Sequence, residues 1–281
     1  MSELANAIEI SGLNKTFGAF SLRDIDLEIP KGYIVGMIGE NGAGKSTLIK
    51  SITGAVIPDS GTVRISDGDR GDMGIVFDDC HLPMNLNIDQ IGGIMSGMFP
   101  SWDQDTYDRL VLGYGLDRTK KLSTFSRGMK MKMQVAVALS HDPKTLILDE
   151  PTAGMDPAAR DEFLDLIMEY IQDEGHTVLI SSHITTDLER IADYIVFMHK
   201  GKLVLSDEKD SILERYGLVR CGKDAFDALD RDTIVTSRSN DMGVTALTTD
   251  KHGMREAYPE LVVDDATLDD ILVMIVRGDG A

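Results

Sequence analysis

A glycine-rich run ending in a lysine and two hydroxyl residues is the clearest candidate for chemistry in this sequence. It extends from Gly39 to Thr47 and has the spacing of loops that bind phosphate groups. Its glycines let backbone N–H groups turn inward, and the helix start that follows adds positive potential. We expect Lys45 to reach the β- and γ-phosphates of a nucleotide and the Ser46 hydroxyl to bind Mg²⁺. The predicted nucleotide contacts in this run are Asn41, Gly42, Gly44, Lys45, Ser46 and Thr47.

Two adjacent carboxylates, Asp149 and Glu150, end the apolar run from Leu146 to Leu148. A parallel strand delivers the residues at its carboxyl end to the ligand crevice of a sheet. We expect Asp149 to hold Mg²⁺ through a water molecule and Glu150 to polarise the attacking water as a general base. An acidic pair at a strand end is more often a simple turn, but its place downstream of a phosphate loop favours catalysis.

With these motifs in this order, residues 5 to 206 resemble the ATPases of ABC transporters. The residues Phe125-Ser126-Arg127-Gly128-Met129 stand where that family carries its signature, usually Leu-Ser-Gly-Gly-Gln. Ser126 and Gly128 agree with that consensus, and they offer a hydroxyl and a bare backbone at a helix start facing a γ-phosphate. The resemblance implies that the signature of one subunit closes the ATP site of a second subunit.

Three further positions are similar to functional positions of the family. Ala153-Gly154-Met155-Asp156 resembles the loop between the two active sites, and His183 resembles the switch histidine that contacts the γ-phosphate. Phe17 is similar to the aromatic residue that stacks on adenine, although a buried core phenylalanine is the alternative. The resemblance thus implies binding of ATP and Mg²⁺, with His183, Lys45 and Glu150 in catalysis.

The chain departs from the family pattern at Asp78. The family usually has glutamine after the strand that Met73 to Phe77 resembles, whereas this chain has Asp78 followed by Asp79. A carboxylate can ligate Mg²⁺ at least as well as an amide, but it adds negative charge near the γ-phosphate. Asp78 is therefore a third candidate metal ligand, beside Ser46 and Asp149, and the sequence leaves open whether it keeps the role of the glutamine.

The elements that must position these residues form an α/β pattern of short apolar strands and amphipathic helices. It predicts a P-loop NTPase core with an antiparallel β subdomain, in which residues 22 to 29 form a half-exposed strand before the turn at Pro30. The predicted buried strands are Ile34 to Ile38, Met73 to Phe77, Leu146 to Leu148, Val178 to Ser181 and Tyr194 to Met198. A helix from Lys45 to Thr53 completes the flanks that a phosphate loop requires.

Strand signals are absent between about residues 84 and 141, which predicts a helical insertion in the core. Its expected helices are Ile88 to Phe99, Asp105 to Tyr114 and Ser126 to His141. The composition changes again after Ser206 and becomes more acidic. Thr267 and Asp270 form a capping-box pattern there, and Leu268, Ile271, Leu272 and Ile275 follow on one helix face. We therefore expect an ATPase domain at residues 1–206 and a small C-terminal α+β accessory domain at residues 207–281.

The overall charge and hydropathy exclude some classes of partner. The net charge of −19 argues against nucleic acid, because binding phosphate backbones needs clustered Lys and Arg. No apolar run approaches the ~20 residues that span a bilayer, and residues 1–6 do not resemble a signal peptide. Cys80 and Cys221 have no metal-ligand spacing and are expected to be reduced. These features predict a cytoplasmic protein.

The resemblance also implies the partners. Phe99 to Asp103, residues 125–132 and the acidic appendage are most similar to bacterial single-domain ATPases that pair with small exporter-type permeases. We therefore expect a separate membrane permease, a second ATPase subunit in a homodimer, and attachment to the inner face of the membrane through the permease. The alternatives are a soluble ABC ATPase that acts outside transport and a regulatory ATP-binding module.

Overall fold

The computed structural model describes residues 5–66, 70–173, 175–241 and 243–280. Its strands, in chain order, are β1 (Asn6–Phe17), β2 (Phe20–Pro30), β3 (Ile34–Gly39), β4 (Ser60–Ile65), β5 (Gly74–Val76), β6 (Thr145–Asp149), β7 (Thr177–Ser182), β8 (Tyr194–His199), β9 (Lys202–Glu208), β10 (Gly217–Cys221), β11 (Ile234–Asn240), β12 (Gly243–Thr248), β13 (Val262–Asp265) and β14 (Asp279–Gly280). Its helices are α1 (Lys45–Ile52), α2 (Ile88–Met98), α3 (Gln104–Gly113), α4 (Arg127–Leu139), α5 (Pro157–Tyr170), α6 (Thr185–Ile191), α7 (Lys209–Arg215), α8 (Lys223–Asp227), α9 (Lys251–Ala257) and α10 (Leu268–Arg277).

A six-stranded sheet forms the centre of the fold, in the order β5-β6-β7-β3-β8-β9. All its neighbouring strands are parallel except the β8–β9 pair. Strands β3, β6 and β7 are buried along their whole length, as their unbroken apolar or small residues predict for a parallel sheet covered on both faces. Their carboxyl ends meet at one edge, which brings the phosphate loop, Asp149 and His183 together.

The predicted antiparallel β subdomain and helical insertion are also present. Strands β2, β1 and β4 form an antiparallel sheet that packs on one face of the central sheet together with α1. Helices α2, α3 and α4 enclose a separate core that includes Ile88, Tyr107 and Met133. Each helix of this insertion begins and ends within one or two residues of its predicted bounds.

The C-terminal appendage is a five-stranded antiparallel sheet, in the order β13-β10-β12-β11-β14, with helices α7 to α10 around it. The capping box predicted for its last helix is formed between Thr267 and Asp270. The predicted boundary after residue 206 falls inside β9, which pairs with β8 as far as Glu208. Residues 1–4 and 281, at the outer ends of the two expected domains, lie outside the described residues.

The appendage has a small core of its own but also shares the main core of the central sheet. Leu268, Ile271 and Met274 of α10 belong to the same buried cluster as Leu188 of α6 and Ile195 of β8. The backbone N–H of Leu268 also donates to Glu189 of α6, at 2.9 Å. Helix α10 therefore covers apolar surface of the ATPase part. In the described ranges, no helix is both long and apolar enough to cross a membrane.

Candidate functional site

The phosphate loop joins β3 to α1 and lines a cavity of about 380 Å³. Gly44 permits this junction because its φ is +112°, and a Cβ there would lie 2.6 Å from Leu22. Lys45 is 5% exposed, and its Nζ donates to the carbonyl of Gly39 at 2.7 Å. The loop thus holds a buried cation at the floor of an open, polar cavity.

The residues lining this cavity are Phe20, Glu40, Asn41, Gly42, Ala43, Gly44, Lys45, Ser46, Thr47, Asp78 and Glu150. All six contacts predicted in the phosphate loop are therefore brought to one place. A larger groove of about 780 Å³ lies near the amino end of β8, where Glu9, Glu28 and Asp207 line it. We assign the phosphate site to the smaller cavity, because its lining contains the phosphate loop and Lys45, whereas the lining of the larger groove contains three carboxylates and no Lys or Arg.

Asp149 lies at the end of β6 and is 1% exposed. Burial raises the pKa of its carboxyl, and the hydrogen bonds from Ser181 and Ser46 oppose that rise. The Ser181 hydroxyl donates to Asp149 at 2.7 Å and accepts from the backbone N–H of Glu150 at 3.0 Å. Ser181 therefore fixes both acidic residues from the neighbouring strand β7.

Glu150 stands between the phosphate loop and His183. Its Oε1 is 3.3 Å from Lys45 Nζ, and its Oε2 is 2.6 Å from His183 Nδ1. The backbone N–H of His183 also points to that carboxylate, at 3.2 Å. Glu150 has a φ of +51°, a left-handed conformation that costs of order 1–3 kcal/mol in a non-glycine residue. Strain of this kind is concentrated at functional sites, where surrounding contacts impose it.

The donor set at this edge fits Mg²⁺. Ser46 and Asp78 line the cavity, and the Ser46 side chain lowers the pKa of the Asp149 carboxyl against the effect of burial. No group of three or more His, Cys, Asp or Glu side chains suited to a metal occurs among the residues that the structure describes. Magnesium does not need one, because it keeps several waters and binds through one or two carboxylates together with substrate phosphates.

The signature residues begin α4 and are not among the residues that line the cavity. Ser126 is the N-cap of α4 and accepts a hydrogen bond from the N–H of Met129 at 3.3 Å. The side chain of Arg127, beside it, forms an ion pair with Asp78. Arg127 therefore connects the start of α4 to the cavity wall, while Ser126 is exposed and Gly128 is partly exposed.

Phe17 is 48% exposed, which excludes the alternative of a core phenylalanine. Its cross-strand partner Phe20, and not Phe17 itself, lines the cavity. Phe20, Arg127 and Ser181 were not among the site residues predicted from the sequence. Phe20 had a usable signal as the second aromatic residue of one hairpin, and Ser181 as a hydroxyl at the end of a buried strand. Arg127 had no such signal, since its contact with Asp78 depends on how α4 packs.

The chain is similar to several known proteins in sequence and in fold. A sequence profile described as ABC transporter matches residues 22–153. A lantibiotic transport ATP-binding protein of Streptococcus pyogenes is 36% identical over 211 residues, which cover 72% of this chain and 91% of the relative. A bacitracin transport ATP-binding protein of Enterococcus faecalis is 33% identical over 210 residues, which cover 70% and 68%. A solved structure of an ATP-binding subunit of an ABC transporter is 27% identical with a TM-score of 0.67, covering 74% of this chain and 92% of that one.

Proposed function

The chain belongs to the family of ABC transporter ATP-binding proteins and is an ATPase of that family, and on this premise we propose how it works. We propose that two copies bind Mg-ATP between them, at the inner face of the membrane, and drive a separate permease. We further propose that the permease exports its substrate, since the relatives include proteins named for transport of lantibiotics and bacitracin.

The observation that carries the catalytic part of this proposal is the convergence of Lys45, Glu150 and His183. In the structure Lys45 has Glu150 as its nearest carboxylate, at 3.3 Å. A bound triphosphate competes for the lysine and frees the Glu150 carboxylate to accept a proton from the attacking water. His183, 2.6 Å from Glu150, then orients that carboxylate and lies close to the transferred γ-phosphoryl group.

We propose that Ser46, Asp149 and Asp78 form the protein side of the Mg²⁺ site. When bound, the metal would neutralise the negative charge that develops on the phosphate oxygens. The protein contributes the Ser46 hydroxyl and a fixed carboxylate, because Ser181 holds Asp149 by a hydrogen bond of 2.7 Å. Phe17 and Phe20 are proposed to contact the base, since both are aromatic residues of the β1–β2 hairpin.

A direct test combines biochemistry with purification from membranes. The tagged chain should hydrolyse ATP with Mg²⁺ and should copurify with an integral membrane protein after mild detergent extraction. Glu150→Gln should abolish hydrolysis and keep the permease bound. An ATPase that never associates with a membrane protein would contradict the transport proposal while leaving the enzyme assignment intact.

A further inference from the structure

Arg127 makes a contact that the proposed function does not use. Its guanidinium leaves the start of α4 and forms an ion pair with Asp78, a residue on the wall of the ATP cavity. Its Cδ lies 3.7 Å from the point where a Cβ on Gly154 would stand. One side chain of the helical insertion thus reaches two segments of the ATP-binding core.

The charge around the cavity makes the ion pair between Arg127 and Asp78 relevant to the binding of ATP. Three carboxylates line the cavity, those of Glu40, Asp78 and Glu150, and Lys45 is the single lysine or arginine in that lining. Lys45 is already shared with Glu150, at 3.3 Å. A triphosphate brings several more negative charges, and like charges this close oppose binding. An Asp78 without a cationic partner would therefore weaken binding of ATP.

Helix α4 also holds the backbone beside Asp78. Gln134, two turns after Arg127 and hence on the same face of α4, donates from Nε2 to the carbonyl of Phe77 at 3.2 Å. Gln134 is 7% exposed. Two side chains of one helix thus bind two consecutive residues at the end of β5, and the same helix is capped by Ser126.

We propose that Arg127 is a positioning residue for the ATP reaction, which neutralises Asp78 and holds it at the wall of the cavity so that the triphosphate can enter. The inference rests on the proposed function, because it concerns the same cavity. Loss of Arg127 leaves Asp78 charged and unpaired beside the phosphates, and removal of the Asp78 charge corrects that defect.

The test is a suppression experiment with Arg127→Gln, Asp78→Asn and the double variant. Binding of ATP to the isolated full chain is measured by calorimetry in EDTA, so that contacts with Mg²⁺ play no part. Arg127→Gln should raise the Kd about three- to fivefold at low salt, the upper part of the effect expected for an exposed ion pair. The effect should shrink at high ionic strength, because salt screens exposed charges. The double variant should return to within about twofold of wild type.

Two controls keep the result specific. Arg231→Gln removes the same charge from an exposed ion pair in the appendage and should leave the Kd unchanged. Arg127→Lys keeps the charge and should bind ATP better than Arg127→Gln does. Circular dichroism checks that each variant is folded, which the 55% exposure of the Arg127 side chain favours.

An unchanged Kd in Arg127→Gln would overturn the inference. A double variant as weak as Arg127→Gln would overturn it too, because Arg127 would then contact the nucleotide without acting through Asp78. A wild-type chain that binds no ATP at all would instead refute the proposed function. The failures of the two proposals are therefore distinguishable.

Discussion

At the scale of single residues, the site depends on a buried lysine that is held in place before any nucleotide arrives. Lys45 is almost fully buried and is bound to the Gly39 carbonyl and to Glu150. The site is therefore preorganised, and little side-chain entropy remains to be lost when phosphate binds.

We predict that Lys45→Ala lowers kcat/KM for ATP about 10²- to 10³-fold, the usual effect of deleting one preorganised electrostatic contact. Lys50→Ala is the matched control, because Lys50 lies on the same helix α1 and is not among the cavity-lining residues. Steady-state hydrolysis assays of both variants measure the difference. Equal activity of the two variants would remove Lys45 from the site.

Asp149 carries a cost in stability, because its carboxyl group is buried. Burial raises the pKa of its carboxyl. Between the ordinary carboxyl pKa of about 4 and the raised value, the folded chain binds more protons than the unfolded chain. The free energy of unfolding therefore falls as the pH rises through that window.

Asp149→Asn removes this buried charge and should raise the thermal unfolding midpoint of the nucleotide-free protein at neutral pH. The gain should disappear in acid, below the ordinary carboxyl pKa, because both chains are then neutral at this position. Hydrolysis of ATP should be lost in the same variant. Melting curves from about pH 3 to pH 8 give the comparison, and identical midpoints at neutral pH would mean that hydrogen bonds fully offset the burial of Asp149.

At the scale of elements, the sequence predicts the strands and helices whose residue pattern is continuous within the element itself. The central strands are continuous apolar runs, and the insertion has helical periodicity between clear caps, such as Asn87 at the start of α2. Strand β1 was not predicted, because its alternation is broken where its pairing with β2 and β4 shifts register. The appendage strands were not predicted individually either, since they are short and mixed in composition.

The candidate site also contains residues that local sequence motifs predict and residues that only the packing of distant elements places. The phosphate loop, Asp149 and Glu150 follow from motifs in contiguous sequence, and the structure brings them together. The contacts of Arg127 and Ser181 depend on the packing of distant elements, and no local pattern encodes them. The placement of Phe20 on the cavity wall likewise depends on the geometry of the β1–β2 turn, which Phe17 and Phe20 flank.

Two adjacent glycines in α2 offer a test of how the insertion packs. A Cβ on Gly92 would lie 2.7 Å from the ring of buried Tyr107, whereas a Cβ on Gly93 would meet nothing within 4 Å. Gly92→Ala should therefore destabilise the protein by about 1–3 kcal/mol through overpacking. Gly93→Ala should stabilise it by up to about 1 kcal/mol through helix propensity. Urea unfolding measures both, and shifts of the same sign would contradict the packing of α2 on α3.

At the scale of the whole molecule, the appendage and the ATPase part should unfold together. Helix α10 places Ile271 in the core cluster that also contains Leu188 and Ile195. We predict that Ile271→Ala destabilises the entire chain by about 2–5 kcal/mol, as a fully buried isoleucine should. Leu272→Ala, at a partly buried neighbour, should cost less. Calorimetry should show one transition for each protein, whereas a separate early transition in Ile271→Ala would indicate an independent accessory domain.

A single subunit supplies only part of the proposed ATP site, so a second subunit is needed to complete it. In the proposed site the phosphate loop would cover one side of the triphosphate, and Ser126 and Gly128 are not among the residues that line its cavity. The start of α4 can serve as a second phosphate-facing helix terminus if another copy of the chain supplies it. ATP should then join two subunits, and hydrolysis should release them.

Glu150→Gln keeps a polar group of similar size but removes the proposed general base, and loss of such a base is expected to slow hydrolysis about 10²- to 10⁴-fold. The variant should therefore accumulate as an ATP-bound dimer, while the wild-type chain dimerises transiently. Ser126→Arg, added to Glu150→Gln, should abolish the dimer by placing bulk and charge where the cap of α4 must approach phosphate. Light scattering with and without Mg-ATP reports the mass directly. A Glu150→Gln chain that stays monomeric at high protein concentration with saturating ATP would refute the two-subunit site in the absence of the permease.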